Sequence, residues 1–439
     1  RSEGFSSGGV AGILPAMTDE RKSMLGSAKV VASLTLLSRV TGLVRDIALT
    51  ATFGLGMVQD AFLFGFAIPN MFRRLFGEGA LAAVFVPQFS LTMEREGRET
   101  ATELVGRVFS LLMVVLVGLT AVLEAGIWAM GRWWLEGPKN ELFLQMTAVM
   151  LPFMIGICLL ALLASILNCL GHFAGPAFAP IVLNGCMIAG IWWIGPAVSD
   201  RLEGRAYATA WCVLAASVLQ VGMLWPILRR YGVRLRWDLT LADPRLRRIL
   251  RTMIPVSLAS GALMVSGYLD NMICAVFTPS TDEATFTVLG HALAYPLENG
   301  ALSAVSAASR LYQFPLGVLA ISLATAAFPV FSRYAANKQH DQLASAVGHA
   351  MRIALFEAIP IGAVMMMLAE PIVALLFERG LFTSADTVRA ARVLVFYGVG
   401  MWAFSLQHIV LRAFYSLGDQ ITPLRRSEEH TSELQSPNT

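Results

Sequence analysis

Arg39, Arg73 and Arg310 each stand inside a stretch that otherwise reads as apolar and helical. A charge near the centre of a bilayer costs roughly 2.5–3.5 kcal/mol on insertion scales. Such a group therefore faces a protein interior or a hydrated cavity. A cavity lined by arginine suits an anion, and the planar fork of guanidinium donors matches phosphate oxygens through paired hydrogen bonds.

The first arginine lies in the run Ser38-Arg39-Val40-Thr41-Gly42-Leu43-Val44-Arg45-Asp46. At 100° per residue, Arg39 and Asp46 share a helix face and Arg45 points elsewhere. Arg39 then either faces a cavity as an anion ligand, with Asp46 helping to hold the helix, or joins a buried ion pair. Arg45 and Asp46 sit near a helix end, where structural pairing is the simpler reading.

The second block runs from Gln59-Asp60 to Arg73-Arg74-Leu75-Phe76-Gly77-Glu78. Arg74 and Glu78 are four apart and can pair along a helix, which leaves Arg73 about 100° away for a ligand. Asp60 either pairs with an arginine or gates the outer side. The third block, Ser309-Arg310-Leu311-Tyr312-Gln313-Phe314-Pro315, gives the later half of the chain a cation of its own. Asp270 and Asn271 form a further polar pair in an apolar segment. They are candidates for a coupling cation such as Na⁺, or for hydrogen bonds between helices.

The elements that carry these residues are membrane spans. The 439 residues are 56% hydrophobic and 14% charged, against about 25% charged in soluble domains. Segments long enough to span fall near 25–52, 57–90, 104–131, 143–169, 177–196, 206–229, 248–277, 302–331, 347–369 and 387–416. The second is expected to bend at Pro69, whose ring removes a helical hydrogen bond. The five cysteines show no CxxC or Cys/His spacing and read as small buried hydrophobes, so no metal and no disulfide is assigned.

Between the sixth and seventh segments lie Arg229, Arg230, Arg234, Arg236, Arg245, Arg247, Arg248 and Arg251, against only Asp238 and Asp243. The positive-inside rule places this loop, and by parity the N-terminus, in the cytoplasm. The loop near 279–300 then lies outside. Its apolar patch around Phe286–Leu297 is too short to span and suits the membrane surface or an ordered loop.

Two echoes recur at nearly the same offset. Val84-Phe85-Val86-Pro87-Gln88-Phe89-Ser90 is similar to Ala326-Ala327-Phe328-Pro329-Val330-Phe331-Ser332, and Ile166-Leu167-Asn168 to Val410-Leu411-Arg412. The shared offset suggests two related lobes, a pattern of transporters. The expected division is a polar segment at 1–24, an N-lobe at 25–235 and an incomplete C-lobe at 236–425. Residues 426–439 resemble the translation of a sequencing-adapter read and are set aside.

In order, SRVTGLVRD, QDAF, IPNMFRRLFGEGALAAVFVP, SRLYQFPLGV and RAFYSLGDQITP resemble the MurJ/MviN family of lipid II flippases, in the MATE-like exporter superfamily. The likeness spans about residues 22–425. It implies two six-helix lobes around a cationic cavity open alternately to each side, followed by two helices that line a lipid groove. It implies Arg39, Arg45, Arg73 and Arg310 as substrate-binding cations, and Asp60 and Glu78 as acidic partners; Asp46 and Arg74 join these as structural or gating residues. Ser309 and Gln313 stand where relatives often carry acids. Against this pattern the chain is expected to lack its last spans, a C-terminal truncation.

The expectation is thus an all-α polytopic membrane protein with about ten spans. It would carry an undecaprenyl-pyrophosphate-linked glycan across the bacterial cytoplasmic membrane by alternating access. Another polyprenyl-linked glycan, or a small molecule, is the alternative cargo. No cofactor is expected, and coupling would come from the membrane potential or a monovalent cation. Partners are lipid II and membrane lipids, with no nucleic acid, and the chain would act as a monomer. His172, His291, His340, His349 and His408 are scattered and no DxD-like or HxxxH-like cluster is present, which argues against an enzyme.

Overall fold

The computed structural model describes residues 10–75, 81–133, 137–240, 243–279, 285–288 and 291–419, with side chains from residue 29 onwards except 81–83, 254–267, 285–288 and 291–293. The chain divides into two compact units. The first is Arg1–Ala48, Gly65–Glu136 and Asn140–Met264; the second is Leu49–Phe64, Gly137–Lys139 and Val265–Thr439.

The helices in order are α1 (Val10–Phe53), α2 (Met57–Arg73), α3 (Leu81–Arg95), α4 (Arg98–Trp133), α5 (Pro138–Met150), α6 (Phe153–Cys169), α7 (Ala174–Ala189), α8 (Gly195–Val198), α9 (Leu202–Arg230) and α10 (Pro244–Val276). They continue with α11 (Ala301–Pro315), α12 (Ser322–Ala336), α13 (His340–Met367), α14 (Ala369–Phe377) and α15 (Ser384–Ser416). Wider π turns at Gly190–Ile194 and Leu316–Ile321 join α7 to α8 and α11 to α12. Among the described residues, seven continuous helical stretches are long and apolar enough to cross a membrane. Many large apolar side chains point outwards, among them Phe356, Met367, Leu375 and Phe396. In water such a surface would aggregate, whereas lipid tails cover it at no cost.

The core of the first unit is built by α4, α6, α7 and α9 around the fully buried Leu104, Leu116, Met150, Phe153 and Leu162. In the second unit α13 and α15 cross at two glycines. A Cβ on Gly362 would meet the Gly398 carbonyl oxygen at 2.5 Å, so only glycine allows the approach. A capping box starts α15: Asp386 N–H donates to Thr383 Oγ1, and Thr383 N–H donates to the Asp386 carboxylate at 2.9 Å.

The expected spans map onto these helices with four differences. First, the second span consists of α2, which carries Pro69 inside it and ends at Arg73, and α3, which begins at Leu81. The segment 143–169 divides at Pro152, which caps α6. Second, α14 is an additional short helix between the last two spans. Third, the loop before α11 holds an antiparallel hairpin, β1 (Thr285–Val288) with β2 (His291–Ala294). Fourth, residues 236–264 group with the first unit, whereas the sequence division fell at 235/236. Ion pairs tie that stretch to α4, as described below.

Candidate functional site

In the first unit α1 is keyed to α7 by one amide. Asn184, almost fully buried in α7, donates to the Ser38 carbonyl at 3.2 Å and to Thr41 Oγ1 at 3.1 Å. Its oxygen accepts from Arg45 Nη1 at 2.8 Å. Arg45 also donates from Nε and Nη2 to Asp46 Oδ1, at 2.9 and 2.7 Å. Three guanidinium nitrogens of Arg45 are therefore engaged, and its side chain is 12% exposed. Arg39, six residues earlier on the same helix, is exposed. Asp46, expected to share a face with Arg39, accepts from Arg45.

Arg73 is half-buried at the end of α2, where its Nε donates to Asn70 Oδ1 at 3.0 Å. It lies close enough to Cys158 for its charge to be felt there. Arg74 is exposed. Glu78, its expected partner, lies outside the described residues.

Asp60 is the centre of the second unit's polar contacts. It is 3% exposed and accepts from Gly300 N–H at 2.8 Å, from Ser303 N–H at 2.8 Å, and from Ser303 Oγ. These are the orphan donors at the start of α11, so Asp60 caps that helix from another part of the chain. Gly300 adopts φ +90°, and a Cβ there would meet the Leu55 carbonyl oxygen at 2.5 Å. The helix capped in this way carries Arg310, which is exposed three turns on. Next to Arg310, Tyr312 stacks on Tyr397 with ring centroids 4.3 Å apart and on Phe404 at 5.2 Å. Asp270 is exposed and Asn271 half-buried on α10, and the Asp270 charge reaches both tyrosines. Among the described residues, no group of three or more His, Cys, Asp or Glu converges to hold a metal ion.

The loop after α9 is held by both of its acids. Arg107 of α4 donates from Nε to Asp238 at 2.8 Å and from Nη1 to Asp243. Arg245 bridges Asp243 at 3.1 Å and Glu96 at 2.6 Å. Hydrogen bonds from the Thr240 side chain and N–H, with a further one from Arg107, pull the Asp238 carboxyl down to about 2. Burial works to raise Asp243, but bonds from the Arg245 side chain and N–H and from Arg107 outweigh it and leave it below the usual carboxylate value.

Asn184, Ser303, Lys139 and the Arg107 clasp were not singled out from the sequence. Asn184 did leave a signal, since it is a lone amide within the apolar run of α7.

Apolar helices of spanning length, lipid-ready flanks and charged side chains held within the helical bundle define a multi-pass membrane transporter. Among solved structures, a MATE family transporter of the MOP superfamily in its inward-facing conformation superposes with a TM-score of 0.67 at 17% identity, covering 90% of this chain and 86% of that one. A structure of lipid II flippase MurJ in an inward closed conformation gives 0.70 at 21% identity, covering 90% and 77%. The family model for lipid II flippase MurJ matches residues 49–427. A probable lipid II flippase MurJ of Rhizobium tropici is 30% identical over 401 residues, 90% of this chain and 71% of the relative. A lipid II flippase MurJ of Burkholderia cenocepacia is 30% identical over 404 residues, 90% of this chain and 74% of the relative. The chain belongs to the MurJ family of lipid II flippases.

Proposed function

We infer that this chain translocates lipid II, the undecaprenyl-pyrophosphate-linked peptidoglycan precursor, from the inner to the outer leaflet of the bacterial cytoplasmic membrane. The family match over residues 49–427 carries the reading. The tail stays in lipid while the sugar–pyrophosphate head passes through protein. Arg39, Arg45 and Arg73 of the first unit and Arg310 of the second replace the water and counterions that the pyrophosphate loses. Asp46, Asp60, Arg74 and Glu78 hold or gate the helices that present them. The Asp60 cap on α11 supports the gating role, because it is buried, charged and placed at a helix end beside the outer loop. The cargo leaves without any bond being made or broken, so the chain acts as a carrier and not as an enzyme.

Each unit must hold the head group less well after reorientation, or the cargo would be trapped. Cationic helices respond to the membrane potential by about 2.3 kcal/mol per charge per 100 mV, and a monovalent cation near Asp270 and Asn271 is the alternative source of drive. One chain is the working unit, with lipids as its surroundings and no nucleic-acid partner. The N-terminus faces the cytoplasm. The arginine-rich loop between α9 and α10 supports this orientation.

The test is complementation of a flippase-depleted strain by the full-length protein and by Arg39→Ala, Arg73→Ala and Arg310→Ala. The variants are expected in the membrane at normal levels without restoring growth. Rescue by all three would show that these arginines do not handle the cargo.

A further inference from the structure

Lys139 is a buried cation outside every motif described above. It stands at the start of α5, is 3% exposed, and belongs with Gly137 and Pro138 to the second unit, although the chain on both sides belongs to the first. Its Nζ donates to the carbonyls of Ala275 and Thr278, both at 2.5 Å. These are the carbonyls left without helical partners where α10 ends, the negative pole of the helix. Thr278 Oγ1 closes the same turn on the Cys274 carbonyl. The outer loop that begins here returns at Leu297, whose N–H donates to the Phe277 carbonyl at 3.2 Å. It ends at Gly300 and Ser303, on Asp60.

Two buried charges of opposite sign therefore hold the two ends of one loop. Lys139 takes the exit of α10 and Asp60 takes the entry of α11. Each comes from a short segment, 137–139 or 49–64, whose chain neighbours lie in the first unit. The Lys139 charge also feels that of Asp60, so the two sites are electrostatically linked.

We propose that Lys139 is a positioning residue of the transport cycle, the second half of an outer clasp whose first half is Asp60. Its ammonium holds the end of α10 and the start of the loop that follows, and letting go frees both. It touches no cargo. Its bonds are worth most where water is excluded and are exchanged for hydration on opening, which suits a reversible catch. The proposal rests on the flippase reading only for its transport readout.

The experiment uses the full-length protein in cells, with Cys274 kept as the sole cysteine and a membrane-impermeant maleimide added outside. Lys139→Met keeps the aliphatic stem and removes all three donors. It is expected to raise Cys274 labelling roughly tenfold, the effect of losing one charge-assisted buried bond, and to depress lipid II translocation. Lys139→Arg, which retains charge and donors, should bring labelling back towards the parent. If Lys139→Met fails to accumulate, the same labelling in Ala275→Pro, which leaves the carbonyls but displaces the end of α10, takes its place. Parental labelling in Lys139→Met, or in Ala275→Pro, overturns the proposal, as does an arginine variant that labels like methionine. Raised labelling in a protein that moves no lipid II even as the parent would leave the clasp standing and remove the flippase reading instead.

Discussion

Asn184→Ala isolates the step between packing and cargo handling. The amide makes three bonds to α1: one from a charged donor at 2.8 Å and two neutral ones at 3.1 and 3.2 Å. The first is worth about 1.5–3 kcal/mol and the long pair about 0.5 kcal/mol each. Arg45 keeps its two bonds to Asp46, so no charge is orphaned, and water entering a polar gap restores part of the loss. The net cost is then about 2 kcal/mol, a factor of about 30 in any equilibrium that needs α1 in register. Detergent-solubilised protein should unfold at lower temperature, and lipid II translocation into the outer leaflet of proteoliposomes should fall about tenfold or more. Asn184→Asp separates two causes. It retains the acceptor for Arg45, gives up the two donors to Ser38 and Thr41 and adds a negative charge, so thermal stability should fall less than in Asn184→Ala while the cationic character of α1 is reduced. Translocation should fall in this variant too. Should Asn184→Asp be as stable and as active as the parent, the link from the Arg45 charge to cargo handling would be refuted. Parental behaviour of both variants would refute the keying of α1 as well.

Asp60→Asn should weaken the α11 cap, because one of the two oxygens becomes an NH₂ that faces a donor; opposed by the relief of desolvation, the loss is about 1–2 kcal/mol, read as reduced protection of the α11 amides in hydrogen exchange. The loop clasp has a pH dependence of fixed sign. Asp238 and Asp243 are depressed in the folded state, so their contribution is complete above the ordinary carboxylate value of about 3.9 and is lost as pH falls towards about 2 for Asp238. Proteolysis of the 231–243 loop should therefore be unchanged from pH 8 to 5 and accelerate below 4. Arg107→Ala should show the fast cleavage at every pH, and an intact loop in that variant would remove Arg107 from the clasp.

The helices and the arginines were legible in the sequence for one shared reason, the free-energy difference between lipid and water. That difference marks apolar runs of spanning length, and it makes Arg39, Arg73 and Arg310 conspicuous within them. It says nothing about what each charge touches. Arg45 and Asn184 are 139 residues apart, and Asp60 and Ser303 are 243 apart; no helical period relates them. Asp46 shares a helix face with Arg39 by period and also pairs with its neighbour Arg45, the structural pairing expected near a helix end. A proline within a membrane helix is tolerated where neighbouring helices and side chains satisfy the freed carbonyl, and only packing reveals whether they do.

What distinguishes a cargo ligand from a structural charge here is how its donors and acceptors are used. Asp60 receives three donors from the start of α11, and Lys139 gives two bonds to the end of α10. Both charges answer the field of a helix terminus, and both would need to surrender those bonds before contacting anything else. Arg45 stands between the classes, with three nitrogens engaged by Asp46 and Asn184. Arg39 and Arg310 are exposed on helices whose positions are set by Asn184 and Asp60 respectively. The buried charges thus fix the helices that carry Arg39 and Arg310, the residues proposed to meet the anion. A transporter needs both kinds, since a ligand set that is also the structural lock could not release its cargo without unlocking the fold.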